Sequence, residues 1–214
     1  MTTPSLPPIT ILPTLPDEAL TSTIDLLFEP SPDLHALALP TLRGHPYASY
    51  DDLISAVRVQ LLDLAAAASD VVVGNTEGGA KKRKQQQQQL LLHSILGSHP
   101  RLGEKKKEGL SGLSSAEQKH LNTSTSNNSD GEEEEEELAR LNREYEARFP
   151  GLRFVTWVRG RGRTEVIDEM RRRIARGDFA EEERENIRAM CDIAADRARK
   201  LLKKEEEEGA GASS

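Results

Sequence analysis

Two short segments carry residue types that can move protons. Gly97-Ser98-His99-Pro100-Arg101-Leu102-Gly103 sets a histidine beside a proline, and Ser114-Ser115-Ala116-Glu117-Gln118 supplies a carboxylate 18 positions after that histidine. Imidazole titrates near neutral pH, and a neighbouring carboxylate orients the ring and supports its cationic form, so His99 and Glu117 read as an acid/base pair. Ser114 and Glu117 also have the spacing of a capping box, in which the serine accepts the Glu117 backbone N–H and the glutamate reaches back. Both readings can hold at once. The first amides of a helix that opens on a pocket form an anion site, where Ser114 serves the cap and a substrate oxygen together. Gln118 is either a solvent-facing helix residue or a donor and acceptor for an amide. Arg197 lies three positions after Ala194 and four before Leu201, so it projects beside the apolar stripe of the last helix. A guanidinium there either snorkels to water or turns into a pocket, where it can clamp a carboxylate with two parallel hydrogen bonds.

Other candidates fall away. His35, His45, His93 and His120 are scattered, with no His-x-x-x-His or Cys-x-x-Cys pairing, so no metal site is expected. There is no glycine-rich phosphate loop and no Gly-x-Ser-x-Gly elbow. Phe154 and Val155 read as core, and so does Cys191 between Met190 and Asp192.

The elements that must position these residues are helical. Leu53, Ile54, Val57, Leu61 and Leu64 recur on one helical face, with Ser49 and Asp52 marking its start. Leu91, Leu92, Ile95 and Leu96 predict a second apolar helix ending at Gly97, which puts His99 just past a helix C-terminus. Leu138, Leu141 and Tyr145 share a face of a third, stopped by Pro150, and residues 152–158 are branched and aromatic and read as extended. Val166, Ile167, Met170 and Ile174 form a stripe ending at Gly177, and Asp178 with Glu181 caps a last helix carrying Ile187, Met190, Cys191, Ala194 and Leu201. Near the N-terminus, Ile24, Leu27 and Phe28 suggest a short helix ending at Pro30. Leu34, Leu37, Ala38 and Leu42 suggest another, strained by Pro40. Six to eight helices without a pair of good strands give an all-α, single-domain helical bundle.

The same two proton-moving segments, His-Pro-x-Leu-Gly and Ser-x-x-Glu-Gln, resemble the active-site signature of 2-oxo-4-hydroxy-4-carboxy-5-ureidoimidazoline (OHCU) decarboxylases, which act in the urate-to-allantoin pathway. Leu27-Phe28-Glu29-Pro30-Ser31-Pro32 and His45-Pro46-Tyr47-Ala48-Ser49-Tyr50 resemble that family's Phe-Glu-x-Ser-Pro and Arg-Pro-Phe-x-Ser segments. Leu141-Asn142-Arg143-Glu144-Tyr145 with residues 148–155 is similar to its Leu-Asn-x-x-Tyr and Phe-Gly-Phe-Pro-Phe-Val stretch, and Ile193-Ala194-Ala195-Asp196-Arg197 to its Ile-Ala-x-Leu-Arg. Arg101 stands where the family more often has Asp, Lys119-His120-Leu121 replaces Ala-Gly-Leu, and Thr156-Trp157 replaces an apolar pair, as in a divergent, fungal-type member. The resemblance implies decarboxylation of OHCU to (S)-allantoin without a cofactor. It implies His99 and Glu117 as the catalytic pair, and Pro100, Ser114, Gln118, Phe154, Val155 and Arg197 around the substrate. It also suggests a homodimer. A rival reading makes the chain a non-catalytic helical interaction protein whose charged and polyglutamine tracts bind partners.

Composition sets the frame. The chain has 214 residues, enough for one buried core. The resemblance spans residues 17–202, after a flexible stretch at 1–16 and before an expected disordered acidic tail at 203–214. Residues 69–89 and 122–136 are biased towards Gly, Ser, Asn, Lys, Gln and Glu and read as low-complexity surface inserts. Within the first, residues 81–84 read as a solvated charge run rather than a nuclear-import patch, and the glutamines at 85–89 can also extend the next helix backwards. The net charge is −7, but setting aside the ten glutamates at 132–137 and 205–208 turns it to +3. The folded part is therefore near neutral, with no nucleic-acid footprint. Its single cysteine excludes an internal disulfide. No apolar run approaches the roughly 18 residues of a membrane span, and the N-terminus lacks a secretory pattern. The C-terminal Gly-Ala-Ser-Ser is not a peroxisomal address of the Ser-Lys-Leu type, so the expected location is cytoplasmic, with a peroxisomal one left open.

Overall fold

The computed structural model describes residues 4–44, 46–69, 78–103, 128–158 and 160–211. After a short 3₁₀ helix at Ile9–Thr14 come α1 (Asp17–Leu27), α2 (Pro32–Gly44), α3 (Tyr50–Ser69), α4 (Gly78–Leu96), α5 (Asn128–Arg148), α6 (Arg163–Arg176) and α7 (Phe179–Gly211). No strand occurs among the described residues, and the fold is an all-α helical bundle.

α3 is the central helix. Leu53, Ile54, Val57, Leu61 and Leu64 are all buried, on the face that packs along α7 and α4. Each such side chain contributes about 1.5–3 kcal/mol on leaving water. The start of α3 is fixed as the sequence suggests: the Asp52 amide donates to Ser49 Oγ at 3.1 Å. Around this axis α1 packs on α2 and α7, and α5 packs on α6. Cys191 is buried where α7 meets this core, and burial pushes its thiol up to about 11.

Several boundaries differ in detail from the sequence reading. α2 runs through Pro40 to Gly44 without a break, although the missing N–H deletes one ladder bond. The glutamines at 85–89 belong to α4, whose first residue is Gly78, and Gln85 Nε2 donates to Ala68 O in the last turn of α3 at 2.6 Å. α5 begins at Asn128, so part of the second biased segment is also helical. Its acidic run is not all turned to water: Arg171 Nη2 of α6 donates to Glu137 at 2.8 Å, and Thr164 Oγ1 to Glu134 at 3.1 Å. The tail expected to be disordered from 203 is helical as far as Gly211. Residues 152–158 are neither helix nor strand; side chains of α6 and α7 bond the backbone of Arg153 and Val155 instead.

Candidate active site

His99 sits where α4 stops. The Gly97 amide closes the last turn on His93 O at 2.8 Å, Ser98 Oγ donates to Ile95 O at 2.7 Å, and the chain then turns so that His99 is only 4 % exposed. A Cβ on Gly97 would lie 2.9 Å from His93 O, so the exit from α4 has no room for a larger residue. Neither effect on the buried ring favours its cation. Desolvation, and then the positive charge of Arg197, push the His99 imidazole down to about 3. Its Nε2 is buried and has no hydrogen-bond partner among the described residues. The neutral imidazole is thus the resting form in this surrounding, with a nitrogen in reserve. Pro100 follows, half-buried.

Arg197 comes from α7 and is 1 % exposed. It reaches the C-terminus of α1, where Nη1 donates to Phe28 O at 2.7 Å and, more weakly, to Leu27 O at 3.5 Å. These carbonyls are among those a helix end leaves without partners, and they carry the negative end of its dipole. Nη2 pairs with Glu29 at 2.7 Å, an ion pair in which both side chains are buried. Ser31 then opens α2 by accepting the Leu34 amide at 3.2 Å. Phe28, Glu29 and Ser31, all buried, with the exposed Pro30 between them, therefore form a joint between two helices, closed by Arg197. The reading that set Arg197 on the pocket side of α7 did not include this partner.

Phe154 and Val155 are 2 % and 3 % exposed. A buried polar group fastens them. The Val155 amide donates to Asn186 Oδ1 at 3.1 Å, Arg173 Nη1 donates to Val155 O at 3.0 Å, and Asn186 Nδ2 donates to Arg153 O at 3.1 Å. Arg173, 1 % exposed, pairs with the fully buried Glu182 at 2.5 Å and lies over the Phe154 ring at 4.6 Å. Tyr145 also donates to Glu182, and burial, then the charge of Glu182, push its phenol well above the ordinary range, so it stays protonated. The same segment touches the His99 loop, because Arg153 Nη1 donates to His99 O at 3.1 Å.

His99, Arg197 and the stretch bearing Phe154 and Val155 are thus brought together. Ser114, Glu117 and Gln118 lie outside the described residues, as do His45 and Lys119-His120-Leu121. The residues that sequence reading passed over are Glu29, Arg173, Glu182 and Asn186. Helical phase could have found two of them: Arg173 is seven positions after Val166 and three after Met170, on the buried stripe of α6, and Asn186 is four before Met190 and seven before Ile193, on that of α7. Arg101, the departure after His-Pro, has its counter-charge in Glu146 of α5, with Nε and Nη2 on its two oxygens at 2.5 and 2.6 Å.

Such a site can hold an anionic or amide-rich small molecule against a neutral imidazole. Among the described residues no group of three or more His, Cys, Asp or Glu side chains gathers as a metal site. No described helix is long and apolar enough to cross a membrane. No curated protein matches the chain. A family model, described as OHCU decarboxylase, matches residues 13–199.

Proposed function

Since the chain belongs to the OHCU decarboxylase family, a group of carboxy-lyases of purine degradation acting on a small molecule, we propose that it converts OHCU to (S)-allantoin and carbon dioxide, with His99 as acid/base and Glu117 as its partner. The observation that carries this reading is the buried imidazole, its Nε2 without a partner among the described residues, beside a buried arginine.

The chemistry needs few groups. The carbon that loses carbon dioxide also bears a hydroxyl, and its ring neighbour is an imine carbon. When the carbon–carboxylate bond breaks, its electron pair forms a double bond to that neighbour while the imine pair moves to nitrogen, which takes a proton. The resulting enol loses its hydroxyl proton, and the neighbouring carbon gains one on a single face, giving the S product. The electron sink lies in the substrate, so no cofactor is called for. The protein supplies orientation and proton movement. A neutral His99 accepts the hydroxyl proton, and Glu117 polarises the ring and steadies it while charged. Arg197 supplies a fixed positive field where the carboxylate is bound. Ser114 and Gln118 hold polar edges of the ureido group and ring, and Pro100, Phe154 and Val155 form the walls. The working unit is proposed to be a cytoplasmic homodimer.

The test is turnover of freshly generated OHCU, followed by the chirality of the allantoin formed. The parent protein should accelerate decarboxylation and give the S product, and His99→Asn should cut turnover about 10²–10⁴-fold with the helical circular-dichroism signal intact. Glu117→Gln should also lose activity, and the double variant should be scarcely worse than His99→Asn, since groups in one proton-transfer unit are not additive. Near-normal turnover by His99→Asn would end the acid/base assignment.

A further inference from the structure

His99 has a position but no side-chain tether: its Nε2 makes no hydrogen bond among the described residues. Among the described residues, then, what directs the ring is its own backbone and the packing around it. That backbone is anchored at three points just after α4. Arg153 Nη1 donates to His99 O at 3.1 Å. Two residues on, Arg101 makes its two-pronged pair with Glu146 at 2.5 and 2.6 Å. One residue further, Leu102 O accepts Asn142 Nδ2 at 3.1 Å in a buried contact. Gly103, with φ +75°, lies so close to α5 that a Cβ would meet Leu138 Cδ2 at 2.6 Å.

Leu138, Asn142 and Glu146 are spaced four apart and so line one stripe of α5. We infer that this stripe, with Arg153, is a clasp that orients the His99 imidazole, making Glu146 and Arg153 positioning residues for the reaction. A two-pronged carboxylate–guanidinium pair fixes direction as well as distance, and the pair lies two residues from the imidazole. A shift of about 1 Å in a reacting group can cost about 10²-fold in rate, so loosening the clasp should act on turnover more than on substrate affinity. The inference rests on the decarboxylase reading for its kinetic arm alone, because ring orientation is measurable without turnover.

The experiment compares Arg101→Glu, the charge-exchanged double variant Arg101→Glu/Glu146→Arg, and Arg153→Met with the parent and with His99→Asn. Each is assayed for kcat and KM on fresh OHCU, for melting temperature, and for the His99 ring resonances in labelled protein. Arg101→Glu and Arg153→Met should each lower kcat about 10- to 100-fold with KM changed less than about 3-fold, and should move the His99 resonances. The charge-exchanged protein should recover most of both. If Arg101→Glu and Arg153→Met keep kcat within about 2-fold while His99→Asn is inactive, the clasp is refuted and the decarboxylase reading stands. If His99→Asn stays active while the ring resonances move in the clasp variants, the reading fails and the clasp survives. Loss of activity that tracks melting temperature across all variants, with unmoved resonances, refutes the positioning role.

Discussion

Arg197 joins two helices and also adds its charge to the burial that keeps His99, on a third element, neutral. Its pair with Glu29 is buried on both sides, and removing one member of such a pair leaves an uncompensated charge that costs about 3–5 kcal/mol. Arg197→Met should therefore lower the melting temperature by roughly 6 °C or more, at about 2–4 °C per kcal/mol for a chain of this size. The sequence alone left this guanidinium either snorkelling to water or turned into a pocket; the buried partner it has lies 168 positions away, beyond the reach of any local pattern. The same substitution removes the positive charge that lowers the His99 pKa, so that pKa should rise. Thermal melts and a titration of the His99 resonances check both effects. An unchanged melting temperature would mean that the Glu29 pair contributes nothing to stability.

At the level of elements, the stretch after α5 depends on side chains for its backbone bonds. Asn186 alone accepts the Val155 amide, donates to Arg153 O and Tyr145 Oη, and accepts from Arg173 Nη2. Asn186→Ala leaves several buried groups unsatisfied, each costing about 1–3 kcal/mol, and should loosen Phe154 and Val155 as well. Hydrogen exchange should show lost protection at Val155 together with a lower melting temperature; full protection there would show that another group carries the segment. Legibility divides along this line. The stripe of α3, the stop of α4 before His99 and the cap at Asp178, whose Oδ1 accepts the Glu181 amide at 2.9 Å, could all be read from residues within one or two turns. The backbone partners of 153–155 could not, because they are polar side chains on two other helices, and a charged run such as Arg171-Arg172-Arg173 looks solvated until helical phase singles out its third member. Ser114, Glu117 and Gln118 fall outside the described residues, and the roles given to the whole predicted constellation are proposals.

For the molecule as a whole, burying a neutral histidine makes stability depend on pH in a window where carboxylates are still mostly ionised. The His99 pKa falls from 6.5 in the unfolded chain to about 3 in the fold, so between those values the unfolded state binds the extra proton. Stability then rises with pH. The contribution is complete above about 6.5 and is lost as pH falls towards 3. Glu169 adds a loss of the same sign at lower pH: its carboxyl is held below the ordinary 4.5, since hydrogen bonding and charge from Arg161, with the charge of Arg173 and a hydrogen bond from Thr156, outweigh the opposing effect of burial. Between pH 6.5 and 4.5 the histidine effect is the one to look for, with a slope approaching about 1.4 kcal/mol per pH unit for one proton. His99→Gln should flatten the curve by that amount in this window, whatever its own effect on stability at neutral pH, and leave the steeper loss below pH 4.5 in place. Urea unfolding of both proteins at pH 6.5, 5.5 and 4.5 measures the two slopes. Parallel curves would mean that His99 binds its proton equally in the folded and unfolded chains, and the neutral imidazole on which the proposed proton transfer depends would have to be given up.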